Sequence, residues 1–337
     1  MPSSFRVNAS LALLAVVGLS LTACSSDTGD TAGVQSPASS ITEPGAYPAT
    51  IEHAYGSTVV EEKPARVVTI GWSSQDAALA LGTIPVAMER FSGDGIENDV
   101  LPWDAEIIGD APVELLTTNP DVPFEQILGL EPDLILAVYS GISEEAYQRL
   151  SDIAPTVAFP ESRWETSLTD QTTMIGAALG RPAEAQNLLD GVDDYLADAA
   201  ASHPEFAGKT VTFGMRTDDG LIVFCPNDPR IELLGQLGIV SSPGVVAACS
   251  SGDSSVSVAG EEVDTLDADV LVLVDADGTN LDKAMAFAPF ARLTAVSEGR
   301  LVRQVGMDYA MAVSAPTVLS IPYAFDTFIG QLEDALA

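Results

Sequence analysis

Short runs of consecutive apolar residues alternate along this chain with stretches in which apolar positions recur every three or four residues. Those two periods mark buried strands and amphipathic helices. The runs at 67–70, 84–88, 134–138 and 156–159 predict strands, with a short further strand at 106–108. Between them the helical period predicts helices at 73–81, 123–130 and 144–150, the first stopped by Gly82. Strands alternating with helices predict a parallel sheet in a Rossmann-like lobe. From Ser167 the strand signal stops and two helical stretches follow. The second, 183–202, places Leu188, Leu189, Val192, Tyr195, Leu196 and Ala199 on one face, and at 1.5 Å per residue it spans about 30 Å. After His203-Pro204 the alternation resumes at 210–214, 231–238, 270–274 and 301–305, with a closing helix from Thr317. The expectation is an α/β protein of two Rossmann-like lobes with mostly parallel sheets, 49–165 and 206–337, joined by a long rigid interlobe helix within 166–205.

One segment occurs twice. Glu125, Ile127, Leu130 and Asp133 have the same spacing as Glu261, Val263, Leu266 and Asp269, and each set leads into an aliphatic run. Each copy follows an earlier helix end of the form Leu-Gly, at Leu81-Gly82 and Leu237-Gly238. A recurring template in a recurring context predicts a duplicated architecture, with one carboxylate offered on the same element of each lobe.

The amino terminus changes the picture of where these lobes work. Arg6 is the sole charged residue before Asp27, and the apolar stretch 11–21 is too short for a stable membrane span. This predicts a signal peptide, 1–23. It ends Leu21-Thr22-Ala23-Cys24, which resembles a bacterial lipobox and predicts lipidation of Cys24, followed by a Ser/Thr/Gly/Asp-rich flexible tether, 24–48. The expected location is the extracytoplasmic face of the cell membrane. The 49 acidic residues against 14 basic ones give a net charge of −35, which sets nucleic acid aside as a partner. Cys225 and Cys249 remain after Cys24; in an exported chain a disulfide is expected, with two reduced buried thiols as the alternative.

The string Lys63-Pro64-Ala65-Arg66-Val67-Val68, then 79–82, Leu130-Glu131-Pro132-Asp133, 150–157 and 175–180, resembles the substrate-binding proteins of ABC importers for ferric siderophores and vitamin B12. The resemblance implies a monomeric binder with a ligand cleft between its lobes, delivery to a permease dimer with its ATPase, and no catalytic function or cofactor. It also implies that Glu125 and Glu261 pair with permease arginines. Ligands of doubly wound sheets sit beyond the carboxyl ends of strands. The loops expected there hold Trp72, Arg90, Trp103, Tyr139, Arg163, Trp164, Arg216, Arg230 and Tyr309, aromatic faces for a bulky chelate and guanidinium forks for its oxygens.

The two histidines, His53 and His203, fall outside the expected cleft loops, so a bare transition-metal cargo fits poorly. Haem, ligated by Tyr139 or Tyr309, and cobalamin are the alternative ligands, and a surface sensor lipoprotein the alternative role. In some siderophore binders of the family a basic residue precedes the helix that carries the Glu; here that stretch is Thr117-Thr118-Asn119, which tilts the expectation toward a hydroxamate or mixed-ligand siderophore. A hydrolase is disfavoured because no Gly-x-Ser-x-Gly elbow occurs.

Overall fold

The computed structural model describes Glu43, residues 45–249 and residues 253–337; the signal segment, Cys24 and most of the tether lie outside the described residues. The amino-terminal lobe opens with an antiparallel hairpin, β1 (Ala49–His53) and β2 (Gly56–Val60), which the sequence reading missed. Its parallel sheet runs in the order β5-β4-β3-β6-β7. These strands are β3 (Val67–Thr69), β4 (Ala87–Glu89), β5 (Glu114–Leu116), β6 (Leu134–Ala137) and β7 (Thr156–Ala158). Four helices intervene: α1 (Ser74–Ala80), α2 (Pro102–Ile108), α3 (Phe124–Gly129) and α4 (Glu144–Ser151). The strand expected at 106–108 is therefore the end of a helix. Pro102 in its first turn has no N–H to lose and a φ already suited to a helix, so the helix starts there and runs through the short apolar stretch.

Two helices leave this lobe, α5 (Leu168–Ala178) and the 21-residue α6 (Pro182–Ser202). The carboxyl-terminal sheet has the order β11-β9-β8-β12-β13, with β10 also on β8. Its strands are β8 (Thr210–Arg216), β9 (Gly220–Phe224), β10 (Val240–Ser241), β11 (Ser255–Ala259), β12 (Val270–Asp275) and β13 (Leu301–Val305). The expected mostly parallel sheet is here a mixed one: β9 pairs antiparallel with both β8 and β11. Its helices are α7 (Pro229–Gln236), α8 (Pro243–Ala248), α9 (Asn280–Ala286), α10 (Ala288–Ala291), α11 (Thr294–Ser297), α12 (Met307–Ser314) and α13 (Ser320–Leu336). Cys225 and Cys249 are joined in a disulfide that ties the end of β9 to the end of α8.

The tether is not loose to its end. Glu43 accepts from the Ala183 N–H at 2.7 Å and Tyr47 donates to the Ala178 carbonyl at 3.2 Å, so this stretch is pinned to α5 and α6.

The repeated segment does the same structural work in both lobes. Asp133, before β6, accepts from the N–H groups of Ala65 and Arg66 at 2.8 Å each, just ahead of β3. Asp269, before β12, accepts from the Thr210 N–H and hydroxyl at 2.8 Å each, at the start of β8. Each Asp thus closes the end of the parallel pair that follows it, β3 with β6 and β8 with β12. One apolar cluster then crosses between lobes, linking Leu101 and Tyr139 through Leu196 of α6 to Phe213 and Phe328.

Candidate functional site

In the amino-terminal sheet β4 and β5 lie on one side of β3, while β6 and β7 lie on the other. The chain changes direction between β3 and β6, and a crevice opens beyond the carboxyl ends of strands at such a switch point. Trp72 follows β3, Tyr139 follows β6 and Trp164 follows β7. The Trp72 and Trp164 rings lie 4.7 Å apart at 37°, and Tyr139 meets Trp164 edge-on at 6.0 Å. Trp72 and Trp164 are half-buried, whereas Tyr139 is 3% exposed.

Two glycines make this trio possible. A Cβ on Gly71, whose φ is +90°, would stand 2.1 Å from the Tyr139 carbonyl oxygen, and one on Gly141 would stand 2.3 Å from the Trp164 indole nitrogen. Trp164 itself holds φ at 63°, a left-handed conformation costing a bulky residue about 1–2 kcal/mol, which its ring contacts must offset. The crevice continues as a recess of about 310 Å³ lined by Thr118, Asn119, Ser140, Gly141, Arg149 and Trp164. Thr118 is committed to the buried carboxylate of Glu89, to which its N–H donates at 3.1 Å.

Arg230 of the other lobe lies close enough to Tyr139 to act on its hydroxyl. Its guanidinium forks onto Asp228 at 2.7 and 3.0 Å and lies 3.6 Å over the Phe224 ring. Burial pushes the Tyr139 hydroxyl up to about 12; Arg230 pulls it down while Asp228 and Glu165 push it up, which places those charges around the trio. Glu232 is raised above its ordinary value by burial and then by Asp228 and Asp170.

The remaining expected residues are placed elsewhere. Trp103 sits in α2 rather than a cleft loop, is 6% exposed, and donates its indole N–H to Asp76 at 2.7 Å. Arg90 is exposed and paired with Asp99. Arg216 bonds the carbonyls of Gly220 and Asp218 in its own hairpin, at 2.7 and 3.1 Å. Tyr309 donates to Gln331 of α13 at 2.9 Å and borders a groove of about 510 Å³ beside the edge strand β13. Arg163 is exposed next to Trp164. Glu125 and Glu261 are exposed, in the first turns of α3 and of a 3-10 turn, Gly260–Leu266.

Sequence reasoning missed the contacts that join the lobes. The Met307 N–H donates to the Asp94 carbonyl at 2.7 Å, docking the 93–96 loop on the start of α12. Deeper, Asp76 accepts from Trp103, from Gln75 at 2.9 Å and from the Thr317 hydroxyl at 2.6 Å, the last 241 residues away. Beside it Asp104 accepts one long bond from Gln75 at 3.3 Å. Both carboxyls are buried, and desolvation raises both: Asp76 to about 7, and Asp104, which also feels Asp76, well above the carboxylate range.

A family model described as "Periplasmic binding protein" matches residues 67–304. Among solved structures, Streptococcus pneumoniae TIGR4 PiaA in complex with ferrichrome is 30% identical, covering 86% of this chain and 98% of that one, with a TM-score of 0.76. The putative ABC transporter substrate-binding lipoprotein YhfQ of Bacillus subtilis strain 168 is 28% identical over 69% of this chain and 72% of its own length. The Fe(3+) dicitrate-binding periplasmic protein FecB of Escherichia coli strain K12 is 27% identical over 61% and 66%.

Proposed function

The chain belongs to the periplasmic binding protein family, and from that premise we propose that it captures a ferric siderophore between its lobes for an ABC importer. The observation that carries this reading is the Trp72–Tyr139–Trp164 trio at the switch point. The half-buried Trp72 and Trp164 rings, with Trp164 on the wall of a 310 Å³ recess, suit a rigid, roughly spherical chelate, and ferrichrome in the similar PiaA supports that class of ligand.

The charges narrow the class. Arg230 is already forked onto Asp228, and Glu165, Glu232 and Asp170 lie nearby without an arginine partner among the described residues. A chelate with excess negative charge, as a tris-catecholate is, would meet uncompensated carboxylates; a trihydroxamate, whose three single charges neutralise Fe(III), would not. With Arg149 on the recess and Arg163 at the rim offsetting part of that acid, a hydroxamate-type chelate of low net charge is the better match. Trp72, Tyr139, Trp164 and Arg230 contact it, with Arg163 at the rim; Glu125 and Glu261 dock on the permease, and a lipid on Cys24 holds the protein at the extracytoplasmic membrane face.

Tryptophan fluorescence titration tests this. Ferrichrome should quench the protein saturably and bind more tightly than ferric dicitrate or a ferric tris-catecholate. Trp164→Ala should weaken ferrichrome by roughly 10- to 100-fold, the loss of about 1–3 kcal/mol of aromatic contact. Tighter binding of the tris-catecholate would reject the charge argument, and unchanged affinity in the variant would reject the site.

A further inference from the structure

Away from the cleft, three metal-ligating side chains meet where α6 ends against α13. His203 caps the carboxyl terminus of α6, and its Nδ1 stands 3.0 Å from Glu205 Oε1 in the following turn. The carboxylate of Glu333, on α13, completes the group: one donor atom from each of the three residues lies within 4.8 Å of the others. We propose that His203, Glu205 and Glu333 form a binding site for a divalent transition-metal ion of the zinc type, separate from the cleft and independent of what the cleft carries.

The chemistry fits that class. One imidazole nitrogen and two carboxylate oxygens, with the remaining positions left to water, form a borderline donor set that takes zinc in preference to calcium or magnesium, whose ligand shells are oxygen only. The imidazole is held in place rather than merely near. The His203 ring lies 4.9 Å over the Phe206 ring at 10°, Phe206 is fully buried, and the His203 N–H bonds the Ala199 carbonyl at 3.0 Å. Stacking fixes the plane of the imidazole so that Nδ1 faces Glu205. Glu333 has no hydrogen bond or ion pair among the described residues, so its oxygens are uncommitted.

Two fields add to the attraction. The carboxyl end of a 21-residue helix carries about half a negative charge on its last carbonyls, directly at His203. The net charge of −35 raises the local concentration of cations over the whole surface. An ion bound here would staple the far end of the interlobe helix to the carboxyl-terminal helix.

The test is a calorimetric titration of the chelator-treated full chain with zinc chloride, repeated with calcium chloride, together with X-ray absorption of the loaded protein. The expected result is one zinc per chain with one imidazole nitrogen in its shell, and weaker binding of calcium. Glu333→Gln, an exposed helix change that leaves the fold intact, should weaken zinc at least about tenfold, as should His203→Ala. Glu262→Gln, an exposed carboxylate in the other part of the lobe, should leave it unchanged. Because the chain has two histidines and His53 is buried against Thr58, an imidazole signal lost in His203→Ala assigns the ligand. Zinc uptake without an imidazole ligand, equal uptake of calcium, or uptake untouched by Glu333→Gln would overturn the site.

Discussion

Replacing Asp104 with asparagine probes the pair of carboxyls buried where the lobes meet. Asp76 receives three donors, from Trp103, Thr317 and Gln75, and so is the better placed of the two to carry charge. Asp104 receives one bond at 3.3 Å, and among the described residues its other oxygen has no partner, nor has Gln75 Oε1. A neutral Asp104, or an amide in its place, could donate where a carboxylate cannot. With Asp76 raised from an ordinary value near 3.8 to about 7, the folded state keeps a proton that the unfolded chain has released throughout that window. Stability from Asp76 is therefore present in full below about pH 4 and is lost as pH rises toward 7, at about 1.4 kcal/mol per unit, or about 4 kcal/mol in all, and the raised Asp104 adds to that loss. The Asp104→Asn change removes the more strongly raised of the two carboxyls, and with it that group's share of the loss. Urea unfolding of the parent and Asp104→Asn between pH 5 and 8 measures it as a difference, which cancels the pH dependence of every other group. The variant should gain on the parent as pH rises from 5 to 8, by up to about 1.4 kcal/mol per unit or about 4 kcal/mol across the window. A difference that stays constant with pH would refute the raised titration of Asp104.

Glu125→Ala combined with Glu261→Ala should leave ferrichrome affinity in solution unchanged while abolishing permease-dependent ATPase stimulation in proteoliposomes; normal stimulation would make the repeat an architectural feature alone. Gly71→Ala should cost roughly 2–4 kcal/mol in chemical denaturation and weaken ferrichrome as well, because its new Cβ displaces the Tyr139 carbonyl on which the aromatic trio is built.

Much of the fold was legible because strand and helix periods are local. The runs at 67–70, 134–138 and 156–159 are β3, β6 and β7, and the 183–202 stripe is the buried face of α6. Of the nine residues expected beyond the strand ends, Trp72, Tyr139 and Trp164 share one ring cluster. The same local reading failed at 106–108, where a single Pro decided the helix, and at β9 and β11, whose antiparallel pairing is set by the sheet they join.

What the sequence determined by itself is the strand–helix alternation around β3, β6 and β7, the long α6, the recurrence of Asp133 and Asp269 and the surplus of acid. What only the tertiary structure decided is which side chains meet. Trp103 looked like a cleft aromatic and is spent on Asp76; Arg216 looked like a ligand arm and is spent on its own hairpin. Asp76 and Thr317 lie 241 residues apart, and Glu333 reaches His203 across the whole carboxyl-terminal lobe. Periodicity fixes which face of an element is buried, but the partner on that face depends on how two lobes pack around one helix, and no local pattern carries that information.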